Sequence, residues 1–213
     1  MKTNHGGIYR KYFKRPLDIL LSLCAIIVLS PVLVIVALLV RTKLGRPIIF
    51  KQLRLGKNER VFSIYKFRTM NSKIDENGKL LPDSERLTKF GLLMRSSSLD
   101  ELPSLWNILK GDMSIVGPRP LPIVYQPYFN DIEKGRHKVR GGLTGLAQIN
   151  GRNSLSWESK FMYDLEYIQN ISLKDDMTII FLTVKKVINR ENVGIRGVDT
   201  TNDFDLYRKK QLG

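Results

Sequence analysis

The sequence predicts an α+β fold: a re-entrant, kinked and non-spanning membrane helix at the N-terminus, then a compact cytoplasmic domain with a short β-hairpin and amphipathic interfacial helices. Three observations predict it. The run Ile19–Val40 is apolar and carries no charge. Two strand-like runs flank a turn at GKNE, residues 56–59. Helical apolar spacing marks the last part of the chain, with Met177, Ile180, Phe181, Val184, Val187 and Ile188 in one stripe.

The first element is the membrane run. A straight helix over it would reach about 33 Å, enough for a bilayer core of roughly 30 Å. The run is too long for a signal peptide and lacks a small-residue cleavage site before Arg41. Ser30-Pro31 sits at its middle, and a proline there removes a helical hydrogen bond. Basic residues flank both ends, Lys11, Lys14 and Arg15 before it and Arg41, Lys43 and Arg46 after it. The positive-inside rule wants both flanks in the cytoplasm. A helix that enters, bends at Ser30-Pro31 and leaves on the same face satisfies both. Asp18 is then expected at the interface, paired with Lys14 and Arg15.

Residues 1–46 are expected to form this basic segment and membrane helix, and residues 47–213 the cytoplasmic domain that carries the candidate chemistry, folded together as one unit. Pro47–Met70 reads as two strands, Asn71–Pro82 as a polar loop, and Ser84–Met94 as a short helix. Leu99, Leu102, Leu105, Trp106 and Leu109 make one apolar helical face that Gly111 ends. SIVGPRPLP is too rich in proline for a helix or central strand. VRGGLTGLAQINGRN reads as a glycine-rich loop, and LSWESKFMYDLEYIQN as a helix. Ser172 and Asp175 resemble a capping box opening the last helix.

Composition limits the function. In 213 residues, 43% hydrophobic and 26% charged residues exclude a disordered chain and a polytopic membrane protein. The single Cys24 excludes an intramolecular disulfide, and His5 and His137 are too few for a Cys/His zinc site. A net charge of +15 calls for a polyanion: nucleic acid, anionic lipid head groups or a phosphate-rich substrate. No helix-turn-helix, zinc or RNP signature is present, so nucleic acid is not expected.

Four places carry candidate chemistry. Asp100-Glu101 reads first as a helix cap with Pro103 in the first turn, a reading that does not exclude a carboxylate able to bind Mg²⁺ or attack as a nucleophile. Arg119 stands between Pro118 and Pro120, a fixed backbone around one guanidinium that suits a phosphate clamp; Arg95 is its companion, and both also suit solvated surface arginines. Gly141, Gly142, Gly145 and Gly151, beside Arg140 and Arg152, allow backbone N–H groups to approach an anion, or form an ordinary loop. Lys66 and Arg68 end the second strand as a basic edge.

Together, KRPLDI, the Ser30-Pro31 break, YKFRTM, DSERLTKFG, LMRSSSLDELPSLWNILKGDMSIVGPRPLP and GLTGLAQINGRN resemble the monotopic phosphoglycosyl transferases, bacterial sugar transferases that start glycan assembly on a lipid carrier. The likeness runs from about Lys14 to Arg190, in the small form of the family. It implies transfer of sugar-1-phosphate from a UDP-sugar to undecaprenyl phosphate with release of UMP, at the cytoplasmic face of the bacterial inner membrane. It implies Asp100 as nucleophile and Mg²⁺ ligand, and Glu101 as a second catalytic carboxylate. It implies Lys66, Arg95, Arg119 and Arg152 against phosphate, and a re-entrant membrane helix contacting anionic lipids. The sugar, the glycan pathway and self-association stay open. A rival reading is a non-catalytic basic scaffold at the membrane surface; a rival enzyme moves the sugar without its phosphate and releases UDP.

Overall fold

The computed structural model describes residues 7–151, 154–189 and 203–212. A π-helical turn, Tyr9–Phe13, leads into helix α1, Lys14–Lys43. The stretch Tyr9–Lys43 is long and apolar enough to cross a membrane. Helix α1 runs on through Pro31 rather than ending there. Pro31 has no N–H for the carbonyl of Ile27, and the Ser30 hydroxyl donates to that carbonyl instead, at 2.8 Å. The serine thus satisfies the acceptor that the proline orphans.

One face of α1 packs on the rest of the chain, buried at Lys14, Asp18, Ser22, Val36 and Val40 and half-buried between Ser22 and Val36. Near its start, Lys14 Nζ meets Asp176 Oδ2 at 2.6 Å, and Tyr9 and Tyr167 donate to the same carboxylate. Asp18 was expected to pair with Lys14 and Arg15. Its carboxylate instead accepts from Ser114 Oγ at 2.7 Å and from the Ile115 N–H at 3.0 Å, so its charge is buried and bonded. Ala25 and Ile26 pack on Ile64, Leu105, Ile108 and Met113. Val32, Leu33, Val36 and Val40 pack on Phe67 and Met94. The opposite face, including Leu20, Ile27, Val28, Val34, Ile35 and Leu38, is exposed and apolar.

Strands β1, Ile49–Leu55, and β2, Val61–Phe67, form the expected antiparallel hairpin, in register from Ile49 opposite Phe67 to Leu55 opposite Val61. The single helix expected over Ser84–Met94 is two: α2, Asp83–Arg86, and α3, Lys89–Ser96. Leu87 is extended between them and bridges Met70, and the Thr88 side chain caps α3 at the Gly91 N–H. A 3-10 turn at Leu99–Glu101 precedes α4, Ser104–Lys110, which Gly111 ends at φ 94. Leu105 and Ile108 are buried, but Trp106, expected on the same apolar face, is 56% exposed.

Two stretches read as irregular form a second sheet. Strand β3, Met113–Val116, pairs in parallel with β4, Gly141–Thr144. A Cβ on Gly142 would lie 2.2 Å from the Gly117 nitrogen and from the Thr144 carbonyl, so the glycines are there for close backbone approach. Two 3-10 segments, Ile123–Tyr128 and Glu133–Lys138, connect these strands. Among the described residues, helices α5, Leu146–Ile149, α6, Trp157–Gln169, α7, Leu173–Ile188, and α8, Phe204–Leu212, follow. Ser172 caps α7 at the Asp175 N–H, as its capping-box spacing predicts. Helix α8 has no clear signal in the sequence, yet Phe204 is fully buried among Tyr125, Phe129, Trp157 and Phe161.

Candidate active site

The backbone places Asp100 before any side chain acts. Ser98 adopts φ 56, the left-handed region that a serine rarely takes, and turns the chain from α3 into the Leu99–Glu101 turn. Neither that turn nor α4 has a side-chain cap, so Asp100 is not spent on capping. Helix α4 is stitched to the free edge of β2. Ser104 Oγ donates to the Tyr65 carbonyl at 2.8 Å, and Asn107 accepts the Tyr65 N–H and donates to the Ser63 carbonyl. These bonds bring the Asp100-Glu101 turn alongside Lys66.

Glu101 then gathers two cations on one oxygen. Its Oε1 lies 2.6 Å from Lys66 Nζ and 2.5 Å from Arg119 Nη2. Burial pushes its carboxyl up, but Arg119 and Lys66 more than offset this and hold it well below the usual carboxylate range. Burial pushes Lys66 down against the pull of Glu101, while Glu101 raises Arg119. Asp100 is the contrasting neighbour. Burial, with the Glu101 charge beside it, pushes its carboxyl up to about 6, against the opposing pull of Lys66, Arg119 and Arg95. A buried carboxylate with weak solvation sits next to one that two cations already neutralise.

The predicted site residues Asp100, Glu101, Lys66 and Arg119 are therefore brought together, and Arg95 acts on the Asp100 charge while its Nε bonds Thr69 Oγ1 at 3.1 Å. Arg152 lies outside the described residues. Of the glycine-rich stretch, for which an anion site and an ordinary loop were both open, the Gly142 N–H bonds the Pro118 carbonyl at 2.9 Å and is not turned to an anion. Arg140 Nε bonds the Gly111 carbonyl at 2.8 Å, closing the end of α4. Both contacts hold the Arg119 loop and α4 in place. A larger groove of about 520 Å³ opens elsewhere, beside Ile132, Phe161, Met162 and Leu165, and none of the Asp100 cluster lines it.

The model of the family described as bacterial sugar transferase matches residues 9–190. The chain belongs to that family. It is 47% identical to the uncharacterized sugar transferase EpsL of Bacillus subtilis strain 168, covering 92% of this chain and 94% of that protein. It is 40% identical to the UDP-glucose:undecaprenyl-phosphate glucose-1-phosphate transferase of Klebsiella pneumoniae, over 82% of this chain but 40% of the relative. The protein of the same name in Escherichia coli K12 is 40% identical, over 86% of this chain and 42% of its own length. The chain thus spans nearly all of EpsL and under half of the other two.

In this bacterial sugar transferase, sequence reasoning missed Arg54. It lines the cleft with Lys66, Glu101 and Arg119, and its Nη2 bonds Gln52 Oε1 at 2.5 Å. The signal was available: in a hairpin turning at GKNE, Arg54 pairs with Phe62 and shares the face of Ile64 and Lys66.

Proposed function

We propose that this chain is a phosphoglycosyl transferase, moving sugar-1-phosphate from a UDP-sugar to undecaprenyl phosphate and releasing UMP. The observation that carries this is the uncapped, buried Asp100 beside a Glu101 whose charge Lys66 and Arg119 already neutralise. The activity for which the Klebsiella and Escherichia relatives are named supports the same reaction.

Asp100 attacks the phosphorus that bears the sugar. A bond forms from its carboxylate oxygen, the bond to the bridging oxygen breaks, and UMP leaves with the electron pair. A phosphate oxygen of the lipid then attacks the aspartyl phosphosugar, a diphosphate bond forms, and Asp100 is released as carboxylate. Neither step needs a strong base, so positioning and charge neutralisation suffice. Burial leaves Asp100 poorly solvated and thus reactive, and Arg119 and Lys66 stand ready to exchange Glu101 for donor phosphate.

Among the described residues no three His, Cys, Asp or Glu side chains gather as a metal cage. Mg²⁺ fits this site all the same, because it is ordinarily held by one or two carboxylates plus substrate phosphates, and among the described residues Asp100 forms no ion bridge with a cation, whereas Glu101 forms two. When bound it would neutralise diphosphate charge.

The packing of the apolar helix supports a membrane placement. Both halves of α1 pack on the same domain, which favours a re-entrant segment with both ends on the cytoplasmic face. Leu173, Met177, Phe181, Val184 and Ile188 form an exposed stripe on α7, with Lys174 and Lys185 beside it, suited to lie in the head-group layer of the inner membrane.

The test is a quench experiment on the full chain in nanodiscs with Mg²⁺ and a panel of UDP-sugars, beginning with UDP-glucose and UDP-galactose. Sugar label should stay on Asp100 without lipid, with one UMP released, and undecaprenyl phosphate should chase it off. Turnover that always requires both substrates bound together, with no label trapped, would refute the covalent route. Release of UDP in place of UMP would refute the reaction.

A further inference from the structure

We infer that the buried Arg136–Asp164 ion pair is the positioning device for Arg119, the guanidinium that meets Glu101. The inference rests on the proposed phosphoryl transfer. Arg136 and Asp164 are both nearly excluded from solvent, with side chains 3% and 4% exposed. Arg136 Nε and Nη2 reach Asp164 Oδ2 at 3.0 and 2.7 Å. The same Nη2 donates to the backbone carbonyl of Arg119 at 2.7 Å. The guanidinium is held against the rings of Phe129 and Phe161, 5.9 and 5.6 Å from their centroids. No part of the proposed chemistry uses these two buried charges.

The loop they hold explains their use. Pro118 and Pro120 flank Arg119 and donate no hydrogen bonds. A residue before proline is confined to extended backbone, but its peptide plane keeps some freedom within that region. On one side, the Gly142 N–H fixes the Pro118 carbonyl at 2.9 Å. On the other, Arg136 fixes the Arg119 carbonyl, and Asp164 on α6 fixes Arg136. Both peptide planes around Arg119 are then set, and with them the direction in which its side chain leaves toward Glu101. Arg136 acts through Arg119 and does not itself touch substrate.

A double-mutant cycle tests this in the full chain in nanodiscs, with the UDP-sugar that the panel turns over. Arg136→Met with Asp164→Leu removes both charges together, which spares the core an unpaired ion. That paired change should lower kcat for UMP release about tenfold in the wild-type background but less than about twofold in an Arg119→Ala background, the non-additivity of residues acting through one another. Arg136→Lys, which keeps a cation for Asp164 and loses the fork needed for the carbonyl, runs the same cycle should the paired variant not fold. Equal fold-losses in both backgrounds, tracking a lowered thermal midpoint, would overturn the inference and leave the pair a structural one. A wild-type chain that releases no UMP with any donor would overturn the proposed function itself, and this inference with it.

Discussion

Replacing Asp100 by Asn should abolish UMP release and at the same time make the protein more heat-stable. Burial and the adjoining Glu101 push the Asp100 carboxyl from 3.8 to about 6. The folded value lies above the unfolded one, so the unfolded chain sheds this proton first as pH rises. Stability contributed by the group is full below the unfolded value and is lost as pH climbs through about 6. At about 1.4 kcal/mol per unit, the ionised carboxylate costs the fold on the order of 3 kcal/mol at pH 8. Asparagine mimics the neutral acid in size and removes that cost. Asp100 caps no helix, so no cap is at risk. In a domain of this size the gain corresponds to a rise in Tm of about 6–12 °C. Thermal unfolding of wild type and Asp100→Asn in the same detergent, without donor or Mg²⁺, should show this difference at pH 8 and its shrinkage toward zero near pH 4. A difference that is absent at pH 8, or that does not change with pH, would refute the reasoning.

Two further outcomes follow from backbone geometry. Ser30→Ala strips the Ile27 carbonyl of its donor and should cost about 1–3 kcal/mol of stability, and adding Pro31→Ala should recover it, because the new N–H takes the same carbonyl; thermal unfolding in nanodiscs measures both, and no recovery in the double variant would count against the bond. Gly142→Ala puts a Cβ 2.2 Å from backbone atoms of Gly117 and Thr144, so it should destabilise by about 3 kcal/mol or more and displace the Arg119 loop; an unchanged thermal midpoint and turnover would show that the two strands can part freely.

What the sequence told, and what it withheld, divides along local and non-local lines. The hairpin was legible because alternating residues flank a turn, and α7 because Ser172 and a helical stripe announce it. The polar cluster was legible as residue types around Asp100, but not as geometry. Nothing local says that Lys66 and Arg119 share one oxygen of Glu101. The parallel pairing of β3 with β4 joins segments far apart in the chain, and its glycines read as loop because close backbone approach leaves no side-chain pattern. Trp106 matched a helical face by spacing yet is exposed, since α4 is only two turns long and its buried face is set by Asn107 and Ser104 bonding to β2. Helix α8 is short and basic, and only the burial of Phe204 reveals why it docks.

The apolar helix also bears on how such a chain can diverge or be re-engineered. Val40 and Ser22 are fully shielded on its inner face, and Arg15 donates to the Ile108 and Leu109 carbonyls at the end of α4, the helix that follows Asp100. A tether can be exchanged for any other apolar segment of the right length; this one cannot. A foreign anchor would leave holes under Phe67 and Met94, unpair Asp176, and free the end of the helix that follows Asp100. Graft experiments that keep only the exposed apolar face of α1 should therefore yield protein that reaches the membrane and does not fold there, whereas grafts that keep the inward residues and vary the outer ones should tolerate wide change.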